Sequence, residues 1–364
     1  MKVAVVNLGI SDYTAALAEA LAERVEVTLV APESQVSPWL PVLGDNVRII
    51  SCAMPRMRDP RALRAAWIML DRAISSQPGL LHLQDPVHPW FDIAAAIRTL
   101  PPLVVTVHDA VRHRGENGTE WLTGRLRNVL LRRARAVIVH TASQKTLLCE
   151  SWNIPEERIH VVPHGELGTL YERASQDQAF VPREPETVLF FGRIMRYKGM
   201  DVLLAAMNLV QKTKPAAKLI IAGRGDNIAR YLPAGASFPR MELIDGFIPH
   251  TDVAALFRRA TVAVLPYLEA SQSGVANLAM GLGTPVIASS VGGLSELIQD
   301  GQDGILVPPG DPEALARAIL RLMQDEDQRT RLASAALVRC KTDLSWDSIA
   351  LKTIDLYRRV LQGP

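Results

Sequence analysis

The chain has 364 residues, 48% of them hydrophobic and 21% charged, with 23 glycines and 24 prolines. That composition excludes a disordered, collagen-like or coiled-coil chain and, at ~150 residues per domain, gives a soft expectation of two domains with full cores. The 40 Lys and Arg against 38 Asp and Glu leave a formal net charge of +2, too small for a nucleic-acid binder held by bulk phosphate attraction. Cys52, Cys149 and Cys340 stand far apart with no C-x-x-C or Cys/His grouping, which argues against a disulfide framework or a zinc site and for a reducing cytoplasm.

The first apolar stretch, Val3 to Ile10, contains Asn7 and Gly9 and no small-residue cleavage site, so it predicts a buried strand and not a signal peptide. No apolar run approaches the ~18 residues needed to cross a bilayer, so any membrane role is peripheral. Further β-branched runs follow at Val25–Val30, Val47–Ser51, Leu80–Leu83, Leu103–Val107, Ala136–His140 and Ile159–Val162. They are continuous and not alternating, as expected for parallel strands covered by helices on both faces. Tyr13–Arg24, Pro60–Ser75, Thr123–Arg135 and Ala142–Trp152 supply such helices, with Leu17/Leu21 and Leu63/Trp67/Leu70 at helical spacing. Between Gly168 and Thr187 the periodicity lapses, and a linker is expected there. A second strand–helix series then runs through Val188–Gly192, Lys218–Ala222, Met241–Ile244, Val262–Pro266, Pro285–Ala288 and Gly304–Val307. The expected fold class is α/β, with residues 1–170 and 187–344 as two Rossmann-like domains. In open parallel sheets ligands bind beyond the carboxyl ends of strands, so chemistry is sought there.

The richest such junction is Phe190-Phe-Gly-Arg-Ile-Met-Arg-Tyr-Lys-Gly199, which sets Arg193 and Lys198 between a strand and the next helix. A guanidinium fork with a compact ammonium suits a diphosphate; a solvated pair of loop charges is the plain alternative. After a later strand comes Leu265-Pro-Tyr-Leu-Glu-Ala-Ser-Gln-Ser-Gly-Val275, whose small residues lead into the helical run from Asn277. Free N–H groups and the positive dipole end at such a helix start attract an anion without a metal, though an ordinary Ser/Gly turn has the same composition. Val291-Gly-Gly-Leu-Ser-Glu296 and Gly9 permit close backbone approach, but Gly9 is not part of a G-x-G-x-x-G fingerprint. His108-Asp109 ends a strand, where an imidazole can position a hydroxyl or share a proton; a histidine satisfied by its own domain is the alternative. His82, His88, His140 and His164 lie near other strand ends without metal-ligand spacing. Asp325-Glu-Asp327 has the D-x-D form used by metal-dependent sugar transferases, yet it sits between helical runs and reads as a solvated helix terminus. No metal site and no bound cofactor are expected.

The second-half motifs together resemble retaining glycosyltransferases of family 4, which have the GT-B fold of two Rossmann-like domains facing across a cleft. The resemblance rests on F-G-R-x-x-x-x-K-G, Ala222-Gly-Arg-Gly, Pro285-Val-Ile-Ala with Gly292-Gly-Leu-Ser-Glu, and Asp300-Gly-Gln-Asp-Gly-Ile-Leu-Val-Pro-Pro-Gly-Asp311, all in order. The first half matches in outline through Gly9, the His-Asp pair and Val162-Pro-His-Gly165. The run from Leu344 to Tyr357 and beyond looks like the family's closing helix, which puts 345–364 back on the first domain. By this resemblance Arg193 and Lys198 grip a donor diphosphate, the backbone of Ser271, Gln272, Ser273, Gly274 and Val275 cradles it, and the backbone near Phe247 and Ile248 receives the base. The family's usual Glu-x7-Glu pair falls on Ala270 and Leu278. The stretch resembles a branch reading Pro-Tyr-x-x-Ala-Ser-Gln-Ser-Gly, which implies that Glu269, Gln272 or Asn277 takes over the sugar contacts.

The resemblance implies a retaining, metal-independent glycosyltransferase that moves a hexose-type sugar from a nucleoside diphosphate sugar, its co-substrate, to the hydroxyl of a glycan, lipid-linked sugar or small molecule. His108, Arg193, Lys198 and Glu269 are its expected catalytic residues. A nucleotide-sugar epimerase or sugar phosphorylase of the same fold, or a catalytically silent nucleotide-sugar-binding subunit, remain as alternatives. The expected location is the cytoplasm. Seven arginines between Arg112 and Arg135, with Trp121, Leu126, Val129 and Leu130 interleaved, also raise a peripheral contact with the inner membrane surface through 112–135.

Overall fold

In the computed structural model, residues 1–9, 11–55, 59–85, 88–109, 120–176, 181–232 and 240–363 are described, with the side chains of 120–126 left aside. The chain forms two compact units. The first joins residues up to Gly165 with Leu344–Pro364, and the second runs from Glu166 to Asp343.

The first unit alternates strands and helices: β1 (Lys2–Asn7), α1 (Ser11–Ala22), β2 (Glu26–Pro32), α2 (Glu33–Val36), β3 (Val47–Cys52), α3 (Arg61–Ser75), β4 (Leu80–Gln84), α4 (Pro89–Ile97), β5 (Leu103–Thr106), α5 (Glu120–Arg133), β6 (Ala136–Val139), α6 (Ala142–Trp152) and β7 (Ile159–Val161). Its seven strands are all parallel, in the order β3-β2-β1-β4-β5-β6-β7. Both sheet faces are covered. Leu70, Met69, Phe91 and Leu130 pack on one, and Tyr13, Leu17 and Leu21 on the other together with Ile349 and Tyr357 of the last helix. This burial on two sides explains why the strands read as unbroken apolar runs.

The second unit contains α7 (Gly168–Ala174), β8 (Thr187–Phe191), α8 (Met200–Thr213), β9 (Lys218–Gly223), β10 (Met241–Asp245), α9 (His250–Arg259), β11 (Val262–Leu265), α10 (Gly274–Gly281), β12 (Val286–Ser289), α11 (Gly292–Leu297), β13 (Ile305–Val307), α12 (Pro312–Gln324) and α13 (Glu326–Lys341). Its sheet is also parallel, in the order β10-β9-β8-β11-β12-β13. The final helix, α14 (Trp346–Gln362), belongs to the first unit. There Trp346 lies edge-on to Tyr13, with ring centroids 5.1 Å apart. A Cβ added to Gly165 would fall 2.6 Å from the Trp346 ring, so this glycine is the contact that lets α14 seat.

Three expectations change on inspection. The stretch from Gly168 begins with helix α7, whose Thr169 N–H donates to the Glu166 carboxylate at 3.0 Å; its short length and polar exposed face hid it from periodicity. Helix α4 went unread because Pro89-Trp-Phe-Asp-Ile-Ala-Ala-Ala-Ile is apolar almost all round, as befits a helix lying between α3 and α5. On α3 only Leu70 of the Leu63/Trp67/Leu70 set is buried. The inward stripe is instead Ala62, Ala66, Met69, Leu70 and Ala73, because small residues let the helix approach its neighbours closely.

Candidate functional site

In the second sheet the chain order reverses between β8 and β11, and that switch point is where an open parallel sheet leaves a crevice beyond its carboxyl ends. The loops leaving these two strands are locked together. Leu268 N–H donates to Tyr197 O at 2.7 Å. Gly199 has φ +69°, and a Cβ there would stand 1.8 Å from Pro266 O, so the approach of the two loops requires glycine. A third loop, Ala222-Gly-Arg-Gly, runs beside them through Gly192 N–H to Ala222 O at 2.9 Å and Ile194 N–H to Arg224 O at 2.9 Å.

This frame brings Arg193 and Lys198 to one place. The exposed Arg193 guanidinium lies 3.4 Å from the Tyr197 hydroxyl. Lys198 Nζ sits 3.7 Å from the centroid of the Tyr267 ring and 5.2 Å from that of Tyr197. An ammonium over an aromatic face is held by the ring quadrupole without losing its charge, so the two tyrosines orient the cation instead of neutralising it. Sequence reasoning passed over both rings; the signal was their position, each next to a residue already singled out.

Across the same junction α10 begins. Ser273 caps it, accepting from Ala276 N–H at 3.2 Å. Asn277 donates Nδ2–H to Ser273 O at 3.2 Å, which leaves its Oδ1 buried and without a partner; the Gln272 side-chain oxygen is in the same condition. A buried acceptor left unsatisfied costs ~1–3 kcal/mol, so these two oxygens at one helix start are able to accept bonds from a ligand's hydroxyls. Glu269, Ser271, Gly274 and Val275 are half-buried in this segment. Gly292, at φ +43°, would place a Cβ 1.9 Å from Ala270 O, so α11 clasps the loop from the neighbouring strand. Leu278 is buried. Beyond β10, Phe247 is 67% exposed and meets His250 edge-on at 5.5 Å, whereas Ile248 is buried. Asp325 is a helix cap, accepting from Gln328 N–H at 2.8 Å.

In the first sheet the order reverses between β1 and β4. Gly9 follows β1, exposed, with its N–H on Asn7 Oδ1 at 3.1 Å. His108, after β5, is buried and not displayed. Its ring joins a chain of bonds: His140 Nδ1 to Val162 O at 3.0 Å, His140 Nε2 to His108 Nδ1 at 3.0 Å, His108 Nε2 to the Gln84 amide at 3.2 Å, and His82 between Tyr357 OH at 2.6 Å and Thr106 Oγ1 at 2.7 Å. Desolvation holds His82 and His140 down to about 3 and His108 well below the usual imidazole range, so the rings are neutral. The protons then follow from bonding logic. Val162 O only accepts, so His140 carries its proton on Nδ1 and accepts at Nε2. His108 therefore donates from Nδ1 and accepts at Nε2, which turns the NH2 of the Gln84 amide toward it; this assignment rests on bonding. Tyr13 stands edge-on to His108 and His164, with ring centroids at 4.6 and 4.8 Å.

The neighbouring strand ends are equally occupied. Arg127 pairs with Asp85 at 2.8 Å and donates to Asp109 O at 2.7 Å. Arg133 donates to Ala95 O and Arg98 O, both at 2.7 Å, and Arg135 to Val360 O at 3.0 Å. Of the basic segment singled out between Arg112 and Arg135, residues 112–119 and the side chains of 120–126 lie outside the described residues; Arg127 is buried, while Arg133 and Arg135 are exposed and bond backbone carbonyls of their own unit. Asp92, on α4, is buried with both oxygens unpartnered, and desolvation lifts its carboxyl to about 8.

Two parallel sheets of Rossmann type, the second carrying fixed cations and a capped helix start at its switch point, have the construction of a GT-B glycosyltransferase. Residues 9–165 match the model described as Glycosyltransferase Family 4, and residues 185–325 the model described as Glycosyl transferases group 1. The chain is 29% identical over 333 residues to the glycogen synthase of Mycobacterium tuberculosis, covering 88% of this chain and 78% of that one. Among solved structures, sucrose-phosphate synthase from Thermosynechococcus elongatus superposes with a TM-score of 0.74 at 23% identity, over 99% of this chain and 100% of that one. Anabaena HepE in complex with UDP-glucose superposes with 0.71 at 17%, over 98% and 99%. The chain is a glycosyltransferase, built from a family 4 domain followed by a group 1 domain.

Proposed function

We propose that the second unit binds a nucleoside diphosphate sugar and that the enzyme transfers its hexose-type sugar, with retention of anomeric configuration, to the hydroxyl of an acceptor glycan or small molecule bound by the first unit. The carrying observation is the junction of Arg193 and Lys198, fixed by Tyr197 and Tyr267, with the unsatisfied oxygens of Gln272 and Asn277. The reaction develops negative charge on a departing diphosphate. Two preset cations and the N–H groups opening α10 stabilise that charge without reorganising, which does the work a divalent ion does elsewhere. The side-chain oxygens of Glu269, Gln272 and Asn277 accept bonds from sugar hydroxyls, and Phe247 offers an exposed ring beside the base. The UDP-glucose in the HepE complex supports this class of donor.

Glu269→Gln tests the reading. Turnover is expected to fall while affinity for the bare nucleoside diphosphate stays near wild type, because the contact is to the sugar. Donor binding is read by thermal shift, where a ligand at 100 times its dissociation constant adds ~2.7 kcal/mol. Product is read by NMR of the anomeric proton, with and without chelator. Failure of every nucleotide sugar to stabilise the protein overturns the donor site. An inverted product overturns retention, sugar release into free phosphate indicates a phosphorylase, and loss of turnover in chelator removes metal independence.

A further inference from the structure

The outer face of α3 carries an apolar patch that the donor site does not use. Because its inward stripe consists mostly of alanines, Leu63, Trp67 and Ile68 are left 39%, 41% and 40% exposed, and Ile97 at the end of α4 is 70% exposed. The two helices meet at Trp67: Arg98, next to Ile97, lays its guanidinium 4.8 Å from the centroid of the Trp67 ring and bonds Asp71 at 2.9 Å. Single exposed apolar residues are ordinary, but a cluster on adjoining helices marks a contact surface. The charge around it has one sign in excess. Asp71 is neutralised by Arg98 and Arg61 by Asp59, at 2.7 Å, while Arg64 is exposed and Arg72, donating to Ser51 O, keeps its charge.

We propose that this face docks on an anionic lipid surface, with α3 in the plane of the interface. Leu63, Trp67, Ile68 and Ile97 enter the boundary between headgroups and acyl chains, and Arg64 and Arg72 meet headgroup phosphates. A tryptophan steadied by an arginine suits that boundary, where an amphipathic ring has one apolar and one polar neighbour. A second copy of the same face fits less well, since it would set these arginines against each other. The proposal rests on α3 and the end of α4 and does not depend on which sugar is transferred.

The full chain is tested by co-sedimentation with phosphatidylcholine vesicles, with and without phosphatidylglycerol, at low salt. Wild type is expected to bind only the anionic vesicles and to leave them at high salt. The Trp67→Ser/Ile97→Ser double variant is expected to lose at least about tenfold in partitioning, and Arg64→Glu several-fold, with melting temperature and nucleoside diphosphate binding unchanged. Absence of wild-type binding to anionic vesicles, equal binding to neutral ones, or unaltered binding by the double variant overturns the proposal. A concentration-dependent dimer in analytical ultracentrifugation that the double variant abolishes assigns the face to a second copy instead.

Discussion

The two units share one topology and use its strand ends in opposite ways. In the first, most polar residues at the carboxyl ends bond to one another: His82, Gln84, His108 and His140 form a series between Tyr357 and Val162, and Arg127 ties Asp85 to Asp109, while Asp92 on α4 stays buried and unpartnered. In the second, Arg193 and Phe247 are exposed, Lys198 lies over the Tyr267 ring, and the side-chain oxygens of Gln272 and Asn277 have no partner. Residue type at a strand end therefore says less about function than whether its bonding is complete. His108, with both ring nitrogens engaged, is tied into its own domain, whereas Lys198 lies over an aromatic ring that leaves its charge in place.

The largest expected consequence of this difference is unequal acid stability. Below the ~6.5 of an unfolded histidine, the unfolded chain binds protons that the buried native rings refuse, so stability falls as pH falls. His82 and His140, both held down to about 3, lose stability as pH falls below 6.5, while Asp92, lifted to about 8, takes up its proton earlier in the native state than in the unfolded chain and offsets part of that loss. Stability from this source is fully present above pH 6.5. All six tryptophans, at 39, 67, 90, 121, 152 and 346, lie in the first unit, so their fluorescence reports on it alone. In an acid titration the tryptophan transition is expected ahead of the remaining far-UV circular dichroism. A single coincident transition below pH 4 breaks the contrast between the units.

Next in size are the donor cations. Arg193→Ala and Lys198→Ala are each expected to weaken nucleoside diphosphate binding about ten- to a hundredfold, since a bond to a charged group contributes ~1.5–3 kcal/mol. Calorimetric titration with the bare nucleoside diphosphate measures this directly. Wild-type affinity in both well-folded variants would mean that the second unit's open strand ends are as inert as the first unit's closed ones.

Much of this was legible in the sequence, and the parts that were not share a cause. The strands stood out because double-sided burial makes them continuous apolar runs, and the 190–199 and 265–275 junctions stood out because glycine and cations cluster after a strand. Helix α4 was silent because burial all round erases the 3.6-residue period. The outward turn of Trp67 was silent because a stripe of alanines competes poorly for attention with a stripe of large residues. His108 looked like a displayed strand-end imidazole because its partners, Gln84 and His140, lie on other strands and no local pattern announces them. Tertiary pairing decides whether a polar residue is satisfied, and that is the property a single sequence hides.

The smallest expected effect probes how the open site keeps its geometry. Lys198 is steered by the Tyr267 ring at 3.7 Å, and a cation–π contact contributes roughly 0.5–2 kcal/mol depending on desolvation. Tyr267→Phe keeps the ring and removes only the hydroxyl, so it is expected to leave nucleoside diphosphate affinity within about twofold of wild type. Tyr267→Leu removes the quadrupole while still filling most of the buried volume, and it is expected to lower affinity roughly two- to thirtyfold, in proportion to that contact energy. Adding Lys198→Ala to each variant completes a double-mutant cycle. If the ring acts through the lysine, the Leu substitution has little further effect once Lys198 is gone, giving a coupling near the full single-variant loss. Additive losses would instead mean that Tyr267 serves only as packing beneath the loop. The site's openness would then rest on the backbone locks at Gly199 and Leu268 alone.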